Sequence, residues 1–197
     1  LNKKTIKKSN AKFAKATPAQ KRVLIAKDVI AAIKAKTINP AEGVWCARSD
    51  GKSLYNETQG GEQLSKLIGK NVQCDVCALG ALFVCTVRRF NNLEAGIVSN
   101  YQVSDIYEID SYLYDFFSRE QIRLIEIAFE GGRGAMIADS PLDNKVAAIF
   151  SGRGLTTARE VEEYTELDAD EKLLIIMKNI IKNNGKFVPR DLINKNV

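Results

Sequence analysis

Ala78 to Cys85 carry no polar side chain other than the terminal thiol, and this run constrains the fold more than any other stretch of the chain. Ala78, Leu79, Gly80, Ala81 and Leu82 leave a helix without a polar face for more than a turn, so other parts of the chain must cover it on most sides. Gly80 permits a neighbour to approach the helix backbone closely. Asp75 stands at an N-cap position and predicts a helix from there to about Phe90. The run is far shorter than the roughly 20 apolar residues that cross a bilayer, so no membrane partner is expected. Its cover has to come from amphipathic elements elsewhere.

Those elements carry clear start and stop signals. Thr17-Pro18-Ala19-Gln20 supplies an N-cap, a proline at the first helical position and a glutamine that closes a capping box. Val23, Ala26, Val29, Ile30 and Ile33 follow with the helical period, and Asn39-Pro40 ends the helix. Between Gly43 and Asn56, Val44-Trp45-Cys46, Asp50-Gly51 and Leu54-Tyr55 predict a short β-hairpin. Glu62 to Ile68 predicts a short helix, and Ser104-Asp105 opens another to about Phe117. Ser118-Arg-Glu-Gln121 is a second capping box ahead of Ile122, Ile125 and Phe129, with Gly131 and Gly132 as the stop. Leu142 to Phe150 and Thr157 to Tyr164 predict two shorter helices. Asp168, followed by Glu171, starts a strong last helix with Leu173, Ile176, Met177, Ile180 and Ile181 inward, closed by Gly185 and Pro189. The fold class predicted is mainly α, a compact multi-helix domain with a short β-hairpin. At 197 residues, one domain over 17–197 is expected, preceded by a flexible basic arm over 1–16.

Charge is unevenly placed. Residues 1–36 hold ten lysines and Arg22 against Asp28 alone, a net of +10; with +5 for the whole chain, −5 remains on the rest. The basic pI belongs to the arm and first helix rather than to the whole surface. There is no histidine, which removes Ser-His-Asp and Cys-His hydrolysis, mixed Cys/His zinc sites and zincin-type proteolysis together. Any catalysis would fall to carboxylates, Cys, Lys or Tyr, and the expectation leans away from an enzyme.

No apolar signal segment follows the N-terminal lysines, so a cytoplasmic location is expected, with Cys46, Cys74, Cys77 and Cys85 as free thiols. Cys74-Asp-Val-Cys77 has the spacing of a redox pair at a helix start, but its flanks read as helices, and buried thiols are the expectation. Cys77 and Cys85 would lie about 12 Å apart along one helix, too far for one zinc ion. A set of Cys46, Cys74, Cys77 and a carboxylate is the arrangement that survives, as a minority reading. No metal or cofactor is expected.

Gly43-Val-Trp45, Asp50-Gly51, Cys77-Ala-Leu-Gly-Ala-Leu82, Phe116-Phe117, Gln121-Ile-Arg-Leu-Ile-Glu-Ile-Ala-Phe-Glu130 and the tail Ile176-Met-Lys-Asn-Ile-Ile-Lys-Asn-Asn-Gly-Lys-Phe-Val-Pro189 together resemble phage-encoded and bacterial proteins of uncharacterised activity. Their shared signs are a CALGAL helix and this Asn-x-Gly-x-Phe-Val-Pro tail. The resemblance spans residues 18–189 and implies a phage accessory protein in the host cytoplasm, where counter-defence is one common task. It supplies no catalytic residues to transfer.

Two loops, Gly131-Gly132-Arg133-Gly134 and Ser151-Gly152-Arg153-Gly154, set an arginine among glycines, where backbone N–H groups can converge on an anion and a guanidinium can fork it. Arg88 and Arg89, at the end of the central helix, are candidates to join them. The leading expectation is a non-enzymatic protein that sequesters an anionic small molecule such as a nucleotide defence signal, through Arg133, Arg153, Gly132, Gly134, Gly152, Gly154, Arg88 and Arg89. The second is a nucleic-acid-binding module using Lys3, Lys4, Lys7, Lys8, Lys12 and Lys15. The third is an inhibitor that docks on a host enzyme. Tyr101, Tyr107, Tyr112, Tyr114, Phe116 and Phe117 include candidates for base stacking, although helical spacing assigns most of them to the core.

Overall fold

The computed structural model describes residue 13 and residues 15–51, 68–90, 113–130 and 166–189. Within them α1 (Pro18–Lys34) leads to β1 (Ile38–Pro40) and β2 (Cys46–Arg48), then β3 (Cys74–Val76), α2 (Ala78–Phe90), α3 (Arg119–Glu130) and α4 (Ala169–Lys182). The expected class holds at this level, mainly helical with a small sheet. The helices expected over 142–150 and 157–164, and most of those over 62–68 and 104–117, lie outside the described residues.

The apolar run is the centre of the molecule. Every residue from Val76 to Arg88 is buried, because α1 and α3 pack on α2 and all three strands touch it. α4 lies against α1 and α3 and closes a ring of four helices. Ala26, Val29 and Ile33 of α1, Ile122, Ile125 and Phe129 of α3, and Leu173, Ile176, Met177 and Ile180 of α4 supply the cover. Each large aliphatic or aromatic side chain buried this way contributes about 1.5–3 kcal/mol.

Capping chemistry accounts for the helix starts. The Thr17 hydroxyl accepts from Gln20 N at 3.3 Å while the Gln20 side chain accepts from Thr17 N at 2.9 Å. Asp168 accepts from Glu171 N at 2.8 Å. At α3 only half of the expected box forms. Ser118 accepts from Gln121 N, but the Gln121 amide donates to Phe187 O at 3.1 Å and accepts from Phe187 N at 2.6 Å. Asn179 does the same for Val188, so two side-chain amides pair with the backbone of the tail in place of a strand.

The sheet departs from expectation in two ways. Its order is β1-β3-β2, with β3 central, parallel to β1 and antiparallel to β2. β2 and the turn at Asp50-Gly51 form, with Gly51 at φ +74°, but the partner that completes the sheet is β3; Leu54-Tyr55 lies outside the described residues. The residues expected to cap α2 are this same β3, and the helix starts later, at Ala78. Asp75 instead accepts from Asn39 Nδ2 and Ser49 Oγ, both at 2.8 Å, across the sheet. α1 also stops short of Asn39-Pro40, at Lys34, because Lys36 turns to φ 53° and releases Ile38–Pro40 as an edge strand, a place where a proline costs no ladder bond.

Gly80 is where helix and sheet layer meet most closely. A Cβ there would stand 1.8 Å from the Trp45 carbonyl oxygen, while the Trp45 ring packs on Phe83 at 6.0 Å between centroids. Alanine is intrinsically better than glycine in a helix by about 1 kcal/mol, but pushing β2 off α2 costs more, about 1–3 kcal/mol or above. Gly80→Ala is therefore expected to lower the thermal midpoint by several degrees, at roughly 2–4 °C per kcal/mol for a chain of this size. A midpoint equal to or above the wild type in a circular-dichroism melt would refute the close approach.

Candidate functional site

The most strongly charged feature is the end of the ring where α1 begins and α4 finishes. Gly185, at φ +91°, ends α4 so closely against α1 that a Cβ would meet Ala19 O at 2.5 Å; the two helices thus run antiparallel. Arg22 locks the junction, donating from Nε to Gly185 O at 2.5 Å and from Nη1 to Phe116 O at 2.7 Å. Phe13 completes it. Though it falls within the segment expected to be a flexible arm, it is buried against Phe116 at 6.2 Å, with Lys21 and Arg89 over its ring at 5.6 and 5.4 Å. Phe13 thus contributes to the core from within the stretch assigned to the arm.

This junction brings lysines from distant parts of the sequence to one end. Lys15, Lys182 and Lys186 are exposed there, Lys178 is exposed one turn up α4, and Lys27, Lys34 and Lys36 follow along α1. Tyr114 is 37% exposed at the same end, with the Arg119 guanidinium over its ring at 5.2 Å. Asp115 and Glu120 are the acidic residues beside them.

The opposite end of α4 is acidic. Asp168, Asp170 and Glu171 occupy its first turn, where negative charge complements the helix dipole. Lys172 is buried and ion-paired with Glu42. Glu130, at the end of α3, accepts from Gly43 N at 2.9 Å; burial raises its carboxyl above the usual range, an effect the Gly43 bond opposes. The described body is thus basic where the N-terminal segment joins it, while the far end is mixed, the acidic first turn of α4 lying at the same end as Lys34 and Lys36 of α1.

Of the residues expected to bind an anionic small molecule, Arg133, Arg153, Gly132, Gly134, Gly152 and Gly154 lie outside the described residues. The other two have internal work. Arg88 is only 9% exposed; it donates from Nε to Ile68 O at 2.8 Å, and from its terminal nitrogens to Val72 O at 2.7 Å, Thr37 Oγ1 at 3.2 Å and Thr37 O at 3.3 Å. Arg89 grips Asp28 through two bonds of 2.5 and 2.6 Å. Neither guanidinium faces outward as an anion fork. Of the lysines assigned to nucleic acid, Lys15 is exposed, and Lys3, Lys4, Lys7, Lys8 and Lys12 lie outside the described residues. Lys178, Lys182 and Lys186 were not singled out from the sequence. Their signal was present in it: from Lys172 to Pro189 the chain has four lysines and no acid.

The thiols do not pair as the Cys-x-x-Cys spacing suggests. Cys74 lies in β3 and Cys77 just ahead of α2, so the context is strand and then helix rather than helical on both sides. Cys77 donates to Trp45 O at 3.8 Å, and burial pushes its thiol up to about 12. Burial does the same to Cys85, also to about 12. Cys74 instead meets Cys46: the hydrogen bond between the two holds Cys74 below the usual thiol range, helped by the charges of Arg88 and Arg48, and holds Cys46 well above it. Among the described residues no group of three or more Cys, Asp or Glu side chains is arranged to hold a metal ion.

Assigning Arg88 to the interior has a measurable consequence. Arg88→Met would leave the Ile68 and Val72 carbonyls without their donor, each worth about 1–3 kcal/mol, whereas Arg89→Met removes one partly buried ion pair and leaves Asp28 a third exposed to water, at a smaller cost. In urea, Arg88→Met is expected to unfold well before Arg89→Met. Equal midpoints would show that Arg88 does not hold the fold.

Comparison with known protein families, with curated proteins and with solved structures gives no match for this chain.

Proposed function

We propose that the chain is a nucleic-acid-binding module whose contact surface is the basic end of the α1–α4 pair together with the lysines that precede Phe13. The observation that carries this reading is the Arg22–Gly185 lock, which gathers Lys15, Lys182 and Lys186 at the point where Lys12, Lys8, Lys7, Lys4 and Lys3 continue the chain. A row of amines spaced along the sequence matches a phosphate backbone better than it matches one compact anion. The exposed Tyr114 with Arg119 supplies the aromatic and guanidinium character that nucleic-acid surfaces combine with lysine. No helix among the described residues is long and apolar enough to cross a membrane. On the resemblance to phage-encoded proteins, the setting is the host cytoplasm and the role that of an accessory factor.

The rival reading, sequestration of a nucleotide-like signal, rests on Arg133 and Arg153 now that Arg88 and Arg89 are engaged internally. The two readings separate on removal of residues 1–12, a cut that spares Phe13. Wild-type protein is expected to bind labelled oligonucleotides with an affinity that falls linearly on a log–log salt plot. Losing the five lysines of the arm should reduce that slope by up to about 4.5 on duplex, at about 0.9 per phosphate contact. Lys182→Glu with Lys186→Glu should lower it further while the melting curve stays put. Binding unaffected by either change, or confined to mononucleotides and independent of residues 1–12, would reject the module.

A further inference from the structure

Arg88 poses a problem that its hydrogen bonds do not solve. Its guanidinium is buried, and among the described residues no carboxylate lies within ion-pairing distance of it. Carbonyls satisfy its donors but leave its charge uncompensated, and buried charges are as a rule paired. The one acid-forming group that it touches is Cys74, whose Sγ is 3.8 Å from Nη2.

Sheet register gives Cys74 a second partner. In the antiparallel β2–β3 pair Cys46 stands opposite Val76 and Arg48 opposite Cys74. Cys46 and Cys74 are thus diagonal neighbours on one face, the face on which Val76 and Cys74 are fully buried. Cys74 sits inside at the cation, while Cys46 is half-buried on a three-residue strand that is at the edge of the sheet among the described residues. A thiol beside a guanidinium with a second thiol in reach is the arrangement of an oxidation-sensing cysteine and its resolving partner.

We infer that Cys74 and Cys46 form a thiol-oxidation site, in which a small peroxide oxidises Cys74 and Cys46 closes the disulfide. The Cys74 thiolate, paired with Arg88, attacks one oxygen of hydrogen peroxide; the O–O bond breaks, leaving a sulfenic acid and a hydroxide that takes the Cys46 proton and departs as water. The Cys46 thiolate then attacks Cys74 Sγ; the S–O bond breaks, and the leaving hydroxide is protonated by solvent. The two sulfurs each lose one electron and the peroxide is reduced to two waters. Diagonal positions lie about 7–8 Å apart between Cα atoms, a little beyond the span a relaxed disulfide prefers, so the edge strand must move inward. A bond formed under that load is readily reduced, as reversible regulatory disulfides are. Cys77 and Cys85 take no part, because Cys77 is engaged with Trp45 O and burial raises both thiols, whereas Cys74 lies against the Arg88 guanidinium.

The test uses the reduced, folded full chain and stoichiometric hydrogen peroxide, followed by alkylation and peptide mapping. A Cys46–Cys74 cross-linked peptide, two hydrogens lighter and restored by dithiothreitol, is the expected product, with Cys77 and Cys85 alkylated only after denaturation. In Cys46→Ser a 1,3-diketone should trap a sulfenic acid at Cys74. The wild-type oxidation rate should rise less per pH unit below pH 8 than the roughly tenfold shown by a free thiol with a pKa of about 8.5. Failure to form the Cys46–Cys74 link in protein that remains folded, a link from Cys74 to Cys77, or trapping at a cysteine other than Cys74 would each overturn the inference. If Cys46→Ser does not fold, the wild-type map decides alone.

Discussion

A guanidinium carried into the interior by an apolar helix is the interaction on which this fold turns. α2 is buried on all sides, so nothing on its own surface can satisfy the polar backbone of the segments that surround it. Arg88 does so from its last turn, reaching the 68–74 segment and the α1–β1 connection at once. Of the carbonyls it serves, Thr37 O keeps the Cys74 N–H, but those of Ile68 and Val72 would otherwise be stranded beside an apolar helix, each at a cost of about 1–3 kcal/mol. Gly80 performs the complementary service about two turns away, letting the Trp45 carbonyl come against the helix backbone. One residue fills the polar gap and the other removes a side chain to let the layers close.

The same economy shapes the α1–α4 junction. Gly185 clears space for Ala19, Arg22 satisfies the carbonyl left free by the end of α4, and Asn179 and Gln121 pair with the tail backbone. With these inward duties assigned to Arg22, Asn179 and Gln121, the remaining cations at this end, Lys15, Lys182 and Lys186, face solvent. Charge polarity therefore follows from packing. Antiparallel docking puts the lysine end of α4 beside the start of α1, where Lys15 and Lys21 lie, and sets the acidic first turn of α4 at the end that carries Lys34 and Lys36.

Much of this was legible from sequence, and where legibility failed the reason is physical. Caps and helical periodicity are local, so Thr17, Ser118 and Asp168 marked helix starts correctly and the inward faces of α1, α3 and α4 could be named. Strand partners are non-local: Cys74–Val76 is three residues long, too short for an alternating pattern, and its acidic residue resembled a cap until a distant Asn39 and Ser49 claimed it. Arg88 and Arg89 looked like surface charge because a helix C-terminus is where arginines commonly meet water. Only the path of 68–74 around α2 shows that one of them is inside. Phe13 was hidden among lysines, its apolar signal outweighed by their charge, and the lysines of α4 were passed over because that helix was read for its apolar stripe. The thiol pair was the least legible, since the Cys-x-x-Cys spacing drew the eye along the chain while the actual neighbour of Cys74 lies across the sheet.

The two chemical features stand at opposite ends of α1. Its first turn belongs to the basic end through Thr17 and Arg22, and the residue that receives Arg88, Thr37, follows its last turn. A 17-residue helix places about 25 Å between them, more than two Debye lengths at physiological salt. Oxidation of Cys74 therefore cannot alter the lysines through the field of a single sulfur. Any influence on polyanion binding must pass mechanically, through Arg88 shifting Thr37 and α1 sliding against Gly185. That contact has little slack, because Gly185 already brings the backbones of α1 and α4 together without an intervening side chain. The same tightness that gathers the lysines would make them sensitive to a displacement started at the far end of the helix.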